Sequence, residues 1–167
     1  MAADSRARIV TVLLGKGDAT FTPSPAFMVR QEPGSLAIAD ADGDGKPDLV
    51  IGSRHLGATG AVLAGRGDGT FGQRTDFETP TGAGPLLLAD VDGDAKLDAV
   101  MVSQATRGVA VLSGDGSGGF VTKLHLGTGG DASFVAVSDL DADGRPDLAV
   151  TNRDRSSVTA LWNRTGR

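Results

Sequence analysis

The chain repeats itself. Three segments of its 167 residues align at offsets of 50 and 49, the first reading Ala39-Asp40-Ala41-Asp42-Gly43-Asp44-Gly45-Lys46-Pro47-Asp48-Leu49. The second reads Ala89-Asp90-Val91-Asp92-Gly93-Asp94-Ala95-Lys96-Leu97-Asp98-Ala99, and the third Ser138-Asp139-Leu140-Asp141-Ala142-Asp143-Gly144-Arg145-Pro146-Asp147-Leu148. A second element keeps the same step: Leu14-Gly15-Lys16-Gly17-Asp18-Ala19-Thr20-Phe21, Ala64-Gly65-Arg66-Gly67-Asp68-Gly69-Thr70-Phe71 and Ser113-Gly114-Asp115-Gly116-Ser117-Gly118-Gly119-Phe120. Each Phe precedes the first Asp of the next loop by 19 residues, so the one-residue difference in period falls in the stretch Gly52 to Gly60. A fixed period near fifty residues makes each repeat one supersecondary unit that buries its faces against its neighbours.

Between these markers run short apolar stretches bounded by Gly, Pro and Asp. Strands are expected at Ile9–Leu14, Phe27–Arg30, Ser35–Ala39, Leu49–Gly52, Ala61–Ala64, Arg74–Glu78, Leu86–Ala89, Ala99–Ser103, Val109–Ser113, Val121–Leu126, Phe134–Ser138, Leu148–Thr151 and Val158–Trp162. Composition agrees, with 25 Gly, 7 Pro and no Tyr, and with 19 of 21 acidic residues being Asp, the turn former, rather than Glu, the helix former. The strand before each Asp loop is apolar on both faces, as in a sheet held between two like sheets. Four antiparallel strands per repeat make the blade of a β-propeller. The expected fold is therefore all-β: three blades plus a surplus strand, entered in the third strand of a blade (Ile9–Leu14) and left in the equivalent strand (Val158–Trp162). The boundaries are a single module over residues 6–166, with repeats at about 22–71, 72–120 and 121–166 and an N-terminal half-blade over 6–30. Propellers close with roughly four to eight blades. Closure is therefore expected from a homo-oligomer, first a six-bladed dimer in which Phe27–Arg30 of one copy completes the last blade of another, or from a longer propeller sequence.

Each Asp loop places carboxylates at positions 1, 3, 5 and 9: Asp40, Asp42, Asp44 and Asp48; Asp90, Asp92, Asp94 and Asp98; Asp139, Asp141, Asp143 and Asp147. Alternate residues of a tightly curled loop point inward, and Gly supplies the left-handed turn that the curl needs. The position 7 residues, Lys46, Lys96 and Arg145, add a backbone carbonyl. Several flexible oxygen ligands suit Ca²⁺ better than Mg²⁺, which prefers a strict octahedron. About three Ca²⁺ per chain are expected, structural rather than catalytic, with the middle site weakest because Ala95 stands where the others have Gly. The loops open like an EF-hand but lack its position 12 Glu, where Ile51, Met101 and Val150 stand instead. One Asp/Gly-rich turn would be unremarkable without metal; three in register, each with four carboxylates, call for a divalent ion to offset their mutual repulsion.

With the tripled Gly-x-Gly-Asp-Gly-Thr-Phe-like segment and the tripled Asp-x-Asp-Gly-Asp-Gly-x-x-Asp loop, the chain resembles the integrin-type FG-GAP/VCBS repeat family from Ile9 to about Trp162. The resemblance implies a propeller of seven or eight blades, an extracellular or cell-surface setting, and Ca²⁺ in the loop joining the first two strands of each blade. Members serve adhesion, protein binding or sugar binding, or are non-catalytic parts of larger extracellular enzymes. The blade count is where this chain departs from the family.

Other features weigh less. The net charge of −5 includes no basic cluster, which disfavours nucleic acid and anionic membranes, and no apolar run is long enough to span a bilayer. No signal-peptide core follows Met1, and the absence of Cys excludes disulfides and thiol chemistry. Arg66-Gly67-Asp68 has Lys16-Gly17-Asp18 as its repeat equivalent, so it reads as a required turn. Asn163-Arg164-Thr165 is a glycosylation sequon of little weight. His55 and His125 fall at non-equivalent places without a nucleophile or acid partner, and no arrangement for catalysis is present, so the chain is expected not to be an enzyme. Phe21, Phe71 and Phe120 are expected in the cores between blades. Trp162, the only Trp, is expected to pack at a terminal or subunit edge, with sugar stacking as the lectin alternative; the loops Ser53–Thr59, Ser103–Gly108 and Asn152–Ser157 repeat no aromatic. Protein and glycan ligands both remain open on sequence alone.

Overall fold

The computed structural model describes residues 2–4, 8–29, 32–53 and 59–164. A half-blade comes first, with β1 (Ala2–Asp4), β2 (Ile9–Thr11), β3 (Leu13–Gly15), β4 (Phe21–Pro23) and β5 (Phe27–Met28), paired as β1-β2-β5 and β3-β4. Blade I is β6 (Pro33–Ala39), β7 (Asp48–Ser53), β8 (Thr59–Gly65) and β9 (Phe71–Glu78); blade II is β10 (Ala83–Ala89), β11 (Asp98–Ser103), β12 (Gly108–Gly114) and β13 (Phe120–Gly127). Blade III has three strands, β14 (Ala132–Ser138), β15 (Asp147–Asn152) and β16 (Ser157–Leu161). Every pairing is antiparallel and sequential within a blade, and no α-helix occurs among the described residues. The sheets form an open propeller arc.

The half-blade differs from expectation in two ways. The fourth strand begins earlier, at β4, and is interrupted at Ser24–Ala26, where Pro23 and Pro25 have no N–H to donate to a ladder. The backbone bond from Ser24 N to Val12 O, 2.8 Å, spans that gap. In addition β1 pairs with Ile9–Thr11 on the side where β7 flanks β8 in blade I, so the chain enters the propeller at the end of a second strand rather than in a third. Arg30, the expected end of the half-blade, and His55 with residues 54–58 lie outside the described residues.

The core lies between blades, not within any one of them. The second strands β7 and β11 are buried over all six residues because both of their faces are covered. Alternate residues feed opposite layers: Val50 and Val62 of blade I meet Ala99, Met101, Leu112 and Phe120 of blade II, whereas Leu49, Ile51 and Leu63 meet Val10 and Val29 of the half-blade. Val100, Val102, Val109 and Val111 meet Val135, Leu148 and Val150 of blade III. The first strands β6, β10 and β14 lie beside one another, nearest the axis. Two aromatic pairs mark the outer strands, Phe27 with Phe71 and Phe77 with Phe120, both with ring centroids 5.2 Å apart in tilted or edge-on geometry. Phe71 and Phe120 thus occupy inter-blade cores as expected, but Phe21, at the first end of the described arc, is 60% exposed.

Candidate metal centres

The three Asp loops join the first and second strands of blades I, II and III and share one rim with the glycine turns that join third and fourth strands. Position 9 is built differently from the others. Asp48, Asp98 and Asp147 open β7, β11 and β15 and are buried. Asp48 accepts N–H bonds from Ala41 and Asp42 at 2.8 and 3.2 Å and from Gly65 at 2.8 Å. Asp98 accepts from Val91 and Gly114, both at 3.0 Å, and Asp147 from Leu140 and Asn163 at 3.0 and 2.8 Å. These bonds, led by the one from Asn163, hold the Asp147 carboxyl below its ordinary value. The last Asp of each loop therefore clamps the loop to the turn beyond the third strand, a role that ligand spacing alone did not disclose.

The clamp explains two glycines. A Cβ on Gly65 would lie 2.0 Å from Pro47 O, and one on Gly114 would lie 2.1 Å from Leu97 O, so the turn can approach the loop only without a side chain. In blade III the equivalent residue is Asn163. Its side-chain Nδ2 donates to Val91 O at 2.7 Å and to Pro146 O at 3.2 Å, so the sequon amide is engaged within the fold. Thr165 of that sequon lies outside the described residues.

The remaining carboxylates shape the loops. Asp40 takes N–H bonds from Gly43 and Gly45 at 2.8 and 2.9 Å, and Asp90 takes the matching pair from Gly93 and Ala95 at 2.7 and 2.9 Å. Asp139 takes its pair from Asp143, one position later than Gly43 and Gly93, and from Gly144, at 3.2 and 2.9 Å. Asp42, Asp92 and Asp141 each accept from the residue two further on. Ala95 and Ala142 adopt φ values of 65° and 61°, the left-handed conformation that Gly takes at the same loop positions, so the curl survives both replacements.

Carboxylate oxygens converge in all three loops. Asp40, Asp42 and Asp48 offer oxygens within 4.8 Å of one another, as do Asp90, Asp92 and Asp94, and Asp139, Asp141 and Asp147. Three of the four expected carboxylates thus meet in each loop, and the one outside the trio differs: Asp44, Asp98 and Asp143. Asp44 is turned to its own position 7, with Lys46 Nζ at 2.7 Å, and this bond holds its carboxyl below the usual range. Lys96 and Arg145 stand 3.6 and 3.7 Å from Asp94 and Asp143 in the same way. In the middle loop Lys123 from β13 reaches Asp92 at 2.5 Å, lowering the Asp92 pKa and raising its own. An all-oxygen, anionic donor set of this kind fits a hard divalent cation and offers nothing to a soft one.

The glycine turns are braced by their own side chains. Asp18 bonds Thr20 N and Oγ1 at 3.0 and 2.5 Å, and Asp68 bonds Thr70 N and Oγ1 at 2.9 and 2.6 Å. The Asp of Arg66-Gly67-Asp68 is thereby committed to the same turn as its repeat equivalent. On the opposite rim, Arg107 pairs with Asp131 at 3.1 Å and with Asp154 at 2.5 Å. His125 is exposed on β13, opposite Ala110.

Stacked antiparallel blades with an acidic loop after each first strand define a β-propeller repeat protein. The FG-GAP-like repeat pattern matches residues 1–51, 40–101 and 90–150, each later match running from one Asp loop through the next, and the chain belongs to that family. A search of curated proteins finds no match to it.

Proposed function

We propose that the chain is a calcium-stabilised propeller module, extracellular or on the cell surface, that binds other macromolecules or acts as a scaffold and catalyses nothing. The observation that carries this reading is the triple convergence of Asp carboxylates on one rim, each trio within 4.8 Å and anchored by a buried Asp of the same loop. Asp40, Asp42 and Asp48, Asp90, Asp92 and Asp94, and Asp139, Asp141 and Asp147 are the first ligands. The carbonyls of Lys46, Lys96 and Arg145, water and the fourth carboxylate of each loop complete the shells. Sites with Kd near 10 μM in about 1 mM calcium would each add about 2.7 kcal/mol to the folded state, against a total of roughly 5–15 kcal/mol for an ordinary domain. The ions are structural on that scale. A protein rather than a sugar ligand is favoured, since residues 104–107 and 153–156 of the opposite rim offer Arg, Asp, Gln and Thr but no aromatic platform.

Isothermal titration with CaCl₂ on chelator-stripped protein, paired with melting curves in calcium and in excess EDTA, tests the proposal. About three ions per chain and a clear fall in melting temperature on chelation are expected. An unchanged melting temperature would refute it. A glycan array against a screen for bound protein then separates the ligand classes.

A further inference from the structure

Blade III ends in a cavity. It measures about 190 Å³ and is lined by Val111, Leu126, Leu148 and Leu161, with Trp162, 47% exposed, at its edge. One repeat earlier, the counterparts of the first four are Val62, Phe77, Ala99 and Leu112, and these surround Phe120, which is only 5% exposed. The cavity therefore occupies the place that the Phe opening a fourth strand fills in blade II, and it continues the apolar layer already built between blades II and III. A cavity of about 150 Å³ admits a benzene ring. Beside it, among the described residues, β16 pairs only with β15, whereas the equivalent strands β8 and β12 are flanked by β9 and β13.

The third member of the Phe register is Phe21, the residue left exposed at the opposite end of the arc. The surface beyond blade III is unburied to match: Val158 is 67% exposed, although its counterpart Val109 is fully buried. By register Val158 is also the counterpart of Val10, which β2 lays on blade I.

From these correspondences we infer that the cavity receives Phe21 of a second copy. The strand β4–β5 of that copy completes blade III, and reciprocal exchange closes a ring from two chains. In the exchanged form β16 replaces β2–β3 against the second copy's blade I, with Val158 in the place of Val10 and Ala160 in that of Val12. The exchange substitutes an unbroken third strand within a three-stranded sheet for one split after Thr11. This is strand swapping, in which each contact is one the chain already makes elsewhere.

Register supplies the test. Thr22 pairs with Leu14 within the chain, and Trp162 is the counterpart of Leu14 in blade III. Since the chain has no Cys, Thr22→Cys and Trp162→Cys chains mixed, denatured, refolded together and oxidised should give a disulfide joining position 22 of one to position 162 of the other. Light scattering of the unaltered chain should give twice the 16.9 kDa protomer mass, and Phe21→Ser should weaken the dimer by about tenfold or more. A protomer mass at micromolar concentration overturns the proposal and leaves the cavity to a strand from a longer chain or another protein. A dimer without that disulfide overturns it too, since the copies then meet elsewhere.

Discussion

Replacing Asp48 with Ala separates a clamp from an ion ligand. The Asp48 carboxylate is fully buried and accepts three backbone N–H bonds, from Ala41, Asp42 and Gly65. A hydrogen bond to a charged group contributes about 1.5–3 kcal/mol, so the loss of three removes on the order of 5 kcal/mol. One carboxylate of a mutually repelling cluster also disappears, and at a few ångströms with partial screening this relief is about 1–3 kcal/mol. The clamp term wins. The net loss of about 2–4 kcal/mol should lower the melting temperature by roughly 5–15 °C in a chain of this size, and it should do so in excess EDTA as well as in calcium. Asp42→Asn makes the contrast, because the amide oxygen can still accept the 3.1 Å bond from Asp44 N while the charge is gone. It should melt at or above the unaltered protein in EDTA, through relieved repulsion, and below it in calcium. Scanning fluorimetry of both variants in both buffers reads the result. Asp48→Ala melting within about 2 °C of the unaltered chain in EDTA would show that the clamp does not hold the loop.

Three further outcomes follow from the geometry. Lys123 competes for the middle loop through Asp92, and an exposed ion pair contributes up to about 1 kcal/mol, so Lys123→Ala should tighten calcium at that site by at most about fivefold in titration calorimetry. Ala95→Gly and Ala142→Gly relieve a left-handed Cβ at a cost of about 1–2 kcal/mol but loosen the unfolded chain by about 0.4–1 kcal/mol; each should raise the melting temperature by about 1–3 °C. Asp147 and Asp154 titrate below their ordinary value, so the unfolded state binds protons first. In EDTA their contribution is complete above about pH 4, the unfolded carboxylate range, and is lost as acid carries the pH down through their lower folded values; a urea midpoint that stays level from pH 5 to 3 would contradict this.

The repeat made the fold legible because its markers are chemical necessities. Asp at alternate loop positions, Gly at turns and Phe at a fixed interval each serve one local geometry, so their recurrence displays the blade before any strand is assigned. Legibility failed where a residue's role depends on its neighbours in space. The identical Phe of three turns is buried at Phe120, where Val62 and Phe77 of the neighbouring blade cover it, and exposed at Phe21, at the end of the described arc. Asp48 looked like one ligand among four, although two of its three N–H partners are close in sequence and the third, Gly65, is 17 residues away. Asp44, held by Lys46 at 2.7 Å, stands outside its trio, whereas Asp94, with Lys96 at 3.6 Å, stays within its own, a difference that spacing does not reveal. β1 escaped notice because Ala2–Asp4 carries no apolar alternation and is a strand only through pairing with Ile9–Thr11.

The clamp also joins the proposed ion to the stacking of blades. The loop curls around its carboxylates, and its last Asp accepts an N–H from the residue that starts the glycine turn: Gly65, Gly114 or Asn163. Where a fourth strand follows, the turn ends at Phe71 or Phe120, whose rings meet Phe27 or Phe77 of the preceding blade. The proposed ion, by ordering the loop, would thus act through one buried carboxylate and one short turn on the residue that packs neighbouring blades together. Twelve of the 21 acidic residues belong to these loops, so three divalent ions would take the formal charge from −5 to about +1. The acidity of the chain is concentrated in the loops that the proposed ions would neutralise, and the clamp predicts that neutralising it would tighten the seams between blades rather than the strands within them.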